Sequence, residues 1–386
     1  MAFFESPSTS PAERVRAASG RVASASGTWV LIGENVDHFG GVTLVGTSAL
    51  RAAAAVSPRT DGVISIAARG PLGQEFWARF LYSDEPADGL ARRWWGLVHT
   101  LVQRQVLSRD TSGMDITVES DVPVGAGLGA LYAADAAIAL ALAGGHDDVD
   151  TAPFRARLAE ICSHAVDTYS SLPVLRARHS VALRGAEGVS VVDYADGSLT
   201  QAPHPSRHGV RVFSVSQELG APFTQSREAI AERRAFIDAA CSNFGVSSLR
   251  QLPDAPGRAV QWVEARRAAG DTNAPEPEAA RRWVAFCESE TLRSLAAAKA
   301  LRSRRANELF TLLNSPSEAH DLASPDALVA LARKRGAVAA RPAAIGTSDA
   351  VIAFVPVQEA DSFAAAMARE FEVVEVAAGE PARLEG

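Results

Sequence analysis

Residues 114–143 constrain this chain more than any other stretch. Residues 114–120 (MDITVES) alternate apolar and polar side chains with the period of a half-buried strand. A Pro- and Gly-rich turn follows, Val122-Pro-Val-Gly-Ala-Gly-Leu-Gly129, and then an Ala/Leu run to Ala143 that stops at Gly144-Gly145. A glycine turn at a helix N-terminus presents free backbone N–H groups and the positive end of the helix dipole, which suits a phosphate. Tight glycine turns also simply join strands to helices, so both uses stay open at this point. The unit requires a sheet covered by helices.

The rest of the chain supplies further layers. At 386 residues it exceeds one ordinary core and is comfortable as two. Strand character is read at 28–32, 52–57, 62–69 and 75–82, and helical spacing at 90–106 and 152–169. Residues 181–183 and 189–194 read as a strand pair. Residues 196–208 are polar with Pro and Gly, which places the boundary between domains 1–200 and 201–386. The second half reads as a strand at 210–215 and helices at 226–244, 260–268, 276–301 and 305–313. A helix over 324–336 follows, with Ser324 as N-cap and Gly336 as its stop. A strand at 350–355, a helix at 357–371 and a strand at 372–376 complete it.

Several function classes are disfavoured. The net charge of −7 argues against a broad nucleic-acid surface, and the run Arg302-Ser303-Arg304-Arg305 reads as the solvated face of a helix. No stretch reaches the roughly 18 apolar residues of a membrane span, and the apolar patch in MAFFESPSTSP is too short for a signal peptide. Cys162, Cys241 and Cys287 are too widely spaced for a zinc or disulfide framework and read as buried free thiols. A cytoplasmic location is expected.

Residues 24–50, SASGTWVLIGENVDHFGGVTLVGTSAL, resemble the galactokinase signature APGR-V-N-LIGEH-x-D-Y-N-GG-x-VLP. The turn at 122–129 resembles PxGxGLxSSA, the phosphate motif of the GHMP kinases. Arg341-Pro-Ala-Ala-Ile-Gly-Thr-Ser-Asp-Ala350 falls where that superfamily carries RMTGxGFGGC, and 180–183 with 189–193 fall after its catalytic aspartate. The order and spacing match across nearly the whole chain. The resemblance implies an α+β, two-domain GHMP-kinase fold: a ribosomal-protein-S5-like first domain and a ferredoxin-like second one. It also implies ATP, Mg²⁺ and a sugar such as galactose as ligands if the family activity survives.

Residue by residue, the family's structural positions are kept and its chemical ones replaced. The family arginine falls on Thr28, its histidine on Asn35 and its catalytic aspartate on Ala177, with Arg178 in place of the glutamine. A methyl group neither orients nor deprotonates a hydroxyl. Glu34, Asn35, Asp37 and Gly40 lie where the family holds its sugar; Glu34 and Asp37 either accept from sugar hydroxyls or satisfy loop N–H groups. Gly125, Gly127, Leu128 and Gly129 keep the phosphate loop, but Ala130 and Leu131 replace its serines and offer Mg²⁺ no oxygen, and Tyr132 adds bulk. Asp135 reads as an ordinary polar helix position, His179 as a polar residue on a loop or strand edge, and Arg176 and Arg178 as solvated or anion-binding. Ala344, Ser348 and Asp349 replace glycines of the third motif, and a negative Asp349 disfavours a triphosphate. The segment between 313 and 324 is shorter than in the family. The expectation is a galactokinase-like protein with impaired or absent catalysis and a sugar-binding, sensing or regulatory role, the last calling for a protein partner; the alternative is an active ATP-dependent sugar-1-kinase with a non-standard site.

Overall fold

The computed structural model describes residues 4, 7–16, 20–220, 226–316 and 322–386. A short capped helix, α1 (Pro11–Val15), leads into a long antiparallel ribbon, β1 (Arg21–Ile32) against β2 (Val42–Arg59). β1 is buried along its length except at Arg21. Trp29 lies against Gly46 on the facing strand, where an added Cβ would overlap the indole. Then come β3 (Val63–Arg69), β4 (Glu75–Leu81), α2 (Gly89–Gln103), β5 (Gly113–Ser120) and α3 (Ala130–Ala143). α4 (Ala152–Tyr169), α5 (Arg176–Arg184), β6 (Val189–Asp193) and β7 (Leu199–Ala202) complete the first half. α3 is apolar on nearly every side because it runs through the middle of the core rather than along its surface.

The second half carries β8 (Val210–Ser216), α6 (Arg227–Phe244), α7 (Ala255–Ala268), α8 (Pro277–Arg302), α9 (Ala306–Asn314) and α10 (Asp326–Lys334). β9 (Ala339–Pro342), β10 (Val351–Pro356), α11 (Ala360–Met367), β11 (Glu372–Glu375) and β12 (Arg383–Glu385) follow. β12, β1, β2, β5, β3 and β4 lie side by side in that order, with β6 and β7 branching from β2. A second, antiparallel sheet has the order β11-β8-β10-β9. β12 therefore returns to the first sheet, pairing Ser24 with Arg383. Around it, Thr47 donates to the Gly379 carbonyl (2.6 Å), Arg51 to the carbonyls of Glu380 and Pro381 (both 3.1 Å), and Arg155 to that of Ala382 (3.1 Å).

Several sequence expectations are corrected. Residues 181–183 are not a strand but the end of α5, where Val181, Ala182 and Leu183 are buried; a three-residue apolar run has no period of its own. The N-cap of α10 is Pro325, and the Ser324 hydroxyl instead donates to the Asp326 carboxylate at 2.6 Å. α7 begins at Ala255, using a proline in its first turn. The helix expected at 357–371 contracts to α11, because 357–359 form a turn. Of the basic run, only Arg302 is helical; the next residues turn toward α9 and are exposed. Cys162 and Cys287 are buried free thiols, with burial pushing Cys287 up to about 12, whereas Cys241 is half-buried. Among the described residues no helix is long and apolar enough to cross a membrane. The shortened segment near 313–324 lies partly outside the described residues.

Candidate functional site

The glycine turn folds as its residues require. Gly125, Gly127 and Gly129 all have positive φ, and Gly129 is the N-cap of α3 with no side-chain cap, so the first N–H groups of the helix remain available. The turn is closely packed. A Cβ on Gly127 would lie 2.4 Å from Ala343, and one on Gly129 would lie 2.8 Å from both the Arg178 guanidinium and the Thr28 hydroxyl. Arg178 is thus no solvated arginine. It is buried and donates to the carbonyls of Thr28 and, at 3.0 Å, Gly127, bracing the turn from the side of α5. Burial lowers its pKa, and no carboxylate forms an ion pair with it among the described residues.

Ala177, the second residue of α5, has its methyl buried among Val30, Val45, Val181 and Val192. Its N–H donates to the Tyr194 hydroxyl at 3.0 Å. Tyr132, in the first turn of α3, accepts from the Leu175 N–H (2.9 Å) and donates to the Pro173 carbonyl (3.1 Å), fastening the approach to α5 onto α3. Its ring lies between the guanidiniums of Arg93 and Arg178 and against the His179 imidazole.

Asp135 and His179 are corrected more sharply. Both are fully buried. Asp135 accepts from Arg93 (2.5 Å), the Trp94 indole (3.0 Å) and His179 Nε2 (3.0 Å). Its carboxyl is held at about 2: burial alone would raise it, and the Arg93 charge with the hydrogen bonds from His179 and Arg93 outweighs that. His179 sits on α5, not on a loop, and burial lowers its pKa. A neutral ring that donates through Nε2 must accept at Nδ1, where the Ser163 hydroxyl lies 3.0 Å away. Serine, histidine and aspartate are therefore lined up, but sealed from solvent, and they join α2, α3, α4 and α5 as a structural network.

Glu34 and Asp37 lie in the loop joining β1 to β2. Neither is occupied chiefly by loop N–H groups; each meets an arginine from the second half of the chain. Arg341 donates to both Glu34 oxygens at 2.9 Å and to Glu290 at 3.3 Å, while Glu290 also accepts from the Gly33 N–H and from Arg293. Arg234 donates to Asp37 at 3.2 Å and to the Val174 carbonyl at 2.5 Å. Asn35, at φ 59°, donates to the Ile345 carbonyl at 2.9 Å, and the Gly40 N–H donates to the Asp37 carbonyl at 3.2 Å. Arg341 and Arg234 were missed as site residues. Opposite charges 197 and 307 positions apart leave no local signal.

No protein-family model matches the chain. Galactokinase from Streptomyces coelicolor is 28% identical over 294 residues, spanning 74% of this chain and 72% of that protein. The structure of Lactococcus lactis galactokinase complexed with galactose superposes with a TM-score of 0.75 over 96% of this chain and 98% of that one, at 16% identity. Methanococcus jannaschii mevalonate kinase gives 0.54 over 96% and 99%, at 11% identity. The chain is a galactokinase homologue with the two-domain GHMP-kinase fold.

In this galactokinase relative, the cleft before α3 has a cavity volume of about 100 Å³ and is walled by Arg178, Tyr132, Leu131, Thr347 and Ser348. Sites for small organic ligands occupy roughly 300–1,000 Å³. Asp349 is half-buried beside Glu218, and burial together with that neighbour holds its carboxyl above the usual range.

Proposed function

We propose that this chain keeps the galactokinase architecture without its phosphoryl-transfer chemistry, and works by binding a small sugar such as galactose in a sensing or regulatory role. The observation that carries this reading is the start of α5. Ala177 presents a buried methyl where the family places its carboxylate, and the adjacent Arg178 is committed to the carbonyls of Thr28 and Gly127. Phosphoryl transfer relies on positioning and electrostatics, so losing a base alone need not abolish it. Here Thr28 replaces the supporting arginine as well, and Ala130 and Leu131 bring no oxygen to a metal. Asp135, the nearest carboxylate along α3, is already saturated by Arg93, Trp94 and His179. ATP with Mg²⁺ does not fit these residues.

Glu34, Asn35, Asp37 and Gly40 remain as the sugar-facing set. A carboxylate has about four lone-pair sites, so an arginine partner leaves capacity for a hydroxyl. The competing reading, an active ATP-dependent sugar-1-kinase, is favoured by the similarity to a galactokinase over three-quarters of the chain. Titration calorimetry with a hexose panel and with ATP plus Mg²⁺, beside a turnover assay, separates the two. Heat with galactose and none with nucleotide is expected; phosphorylation of galactose by purified protein would overturn the proposal.

A further inference from the structure

The first sheet ends in β4, which among the described residues pairs only with β3. The Tyr82 N–H donates to the Gly62 carbonyl and the Gly70 N–H to the Gln74 carbonyl. The two-residue period of the antiparallel ladder therefore turns the backbone groups of Phe76, Ala78 and Phe80 toward β3. Those of Glu75, Trp77, Arg79 and Leu81 point outward, where no strand meets them among the described residues. The same four residues put their side chains on the solvent face, where Trp77 is 69% exposed and Leu81 48%.

Natural edge strands are usually interrupted by proline, a bulge or lysine, or covered. β4 has none of the first three, and its register with β3 is unbroken over seven residues. Its outward pattern, Glu-x-Trp-x-Arg-x-Leu, also suits itself in reverse. Laid antiparallel about Ala78, two copies set each Trp77 opposite the partner's Arg79, a cation on an aromatic face. Each Glu75 then lies opposite the partner's Leu81 and diagonal to the partner's Arg79, an oppositely charged neighbour. All four outward-facing residues of each strand are paired in that register.

We propose that β4 is a docking edge for a second copy of this chain, joining two first sheets antiparallel about a two-fold axis. The contact is one strand wide, so the dimer is concentration-dependent. It is independent of the sugar site. Sedimentation velocity of the purified full chain should show a species of twice the monomer mass growing with concentration. Amide exchange should slow at Trp77, Arg79 and Leu81 as it grows and stay unchanged at Phe76, Ala78 and Phe80. Trp77→Lys and Arg79→Pro should lose the dimer while keeping the monomer's circular dichroism and melting temperature. A chain that stays monomeric at every soluble concentration overturns the proposal. So does a dimer that persists in folded Trp77→Lys or leaves the outward amides unprotected.

Discussion

Asp135 draws Arg93, Trp94 and His179 onto one carboxylate inside the core. Replacing it with alanine would strand the buried Arg93 charge, so Asp135→Ala should lose about 3–5 kcal/mol in urea denaturation. Buried histidines set a pH dependence. His179 is lowered by burial, and His204 is lowered to about 4 for the same reason. The unfolded chain, with histidines near 6.5, binds more protons than the folded one. Stability should therefore be full above about 6.5 and fall as the pH drops toward about 4, seen as a declining urea midpoint; a flat profile there would contradict it. On the sugar side, Asp37→Asn should weaken galactose binding about 10- to 100-fold by calorimetry, the worth of a hydrogen bond to a charged group. Legibility divides at this scale by sequence distance. The glycine turn, with Gly125, Gly127 and Gly129 all at positive φ, was readable because a linear motif marks it. The engagement of Asp135 with Arg93, 42 positions away, was not, because a helical aspartate looks the same whether solvated or buried.

Elements with a strong period were readable, and short ones were not. β5, the glycine turn and α3 stand where alternation and an Ala/Leu run put them. The run 181–183 was misread because nothing local distinguishes a strand from the buried end of α5. What fastens the approach to α5 is Tyr132, whose hydroxyl serves the Leu175 N–H and the Pro173 carbonyl. Tyr132→Phe leaves both backbone groups short of a partner and should cost about 1–3 kcal/mol. Amide exchange faster at Leu175 than in the middle of α3 would mark the loosening as local.

Across the whole molecule, the two halves are bound by reciprocal threads. Arg234 and Arg341 reach from the second half to Asp37 and Glu34 in the first. In return, residues 379–385 run along the first sheet, where Arg51 is lowered to about 10 by burial and the nearby Arg383 charge. Deleting residues 379–386 removes the partners of Thr47, Arg51 and Arg155 and the pairing of β12. At about 1 kcal/mol per net hydrogen bond, the truncated chain should lose about 3 kcal/mol or more, with a single unfolding transition at lower temperature. A preserved melting temperature would show that the segment only decorates the sheet.

The pairing of β1 with β12 also bears on how the molecule comes into being. Ser24 and its partner Arg383 are separated by nearly the full chain. On the ribosome, the ribbon of β1 and β2 emerges long before the strand that borders it. The flank of β1 thus spends most of synthesis uncovered, open to chaperones and to neighbouring nascent chains. A strand made early is thus among the last to gain its neighbour.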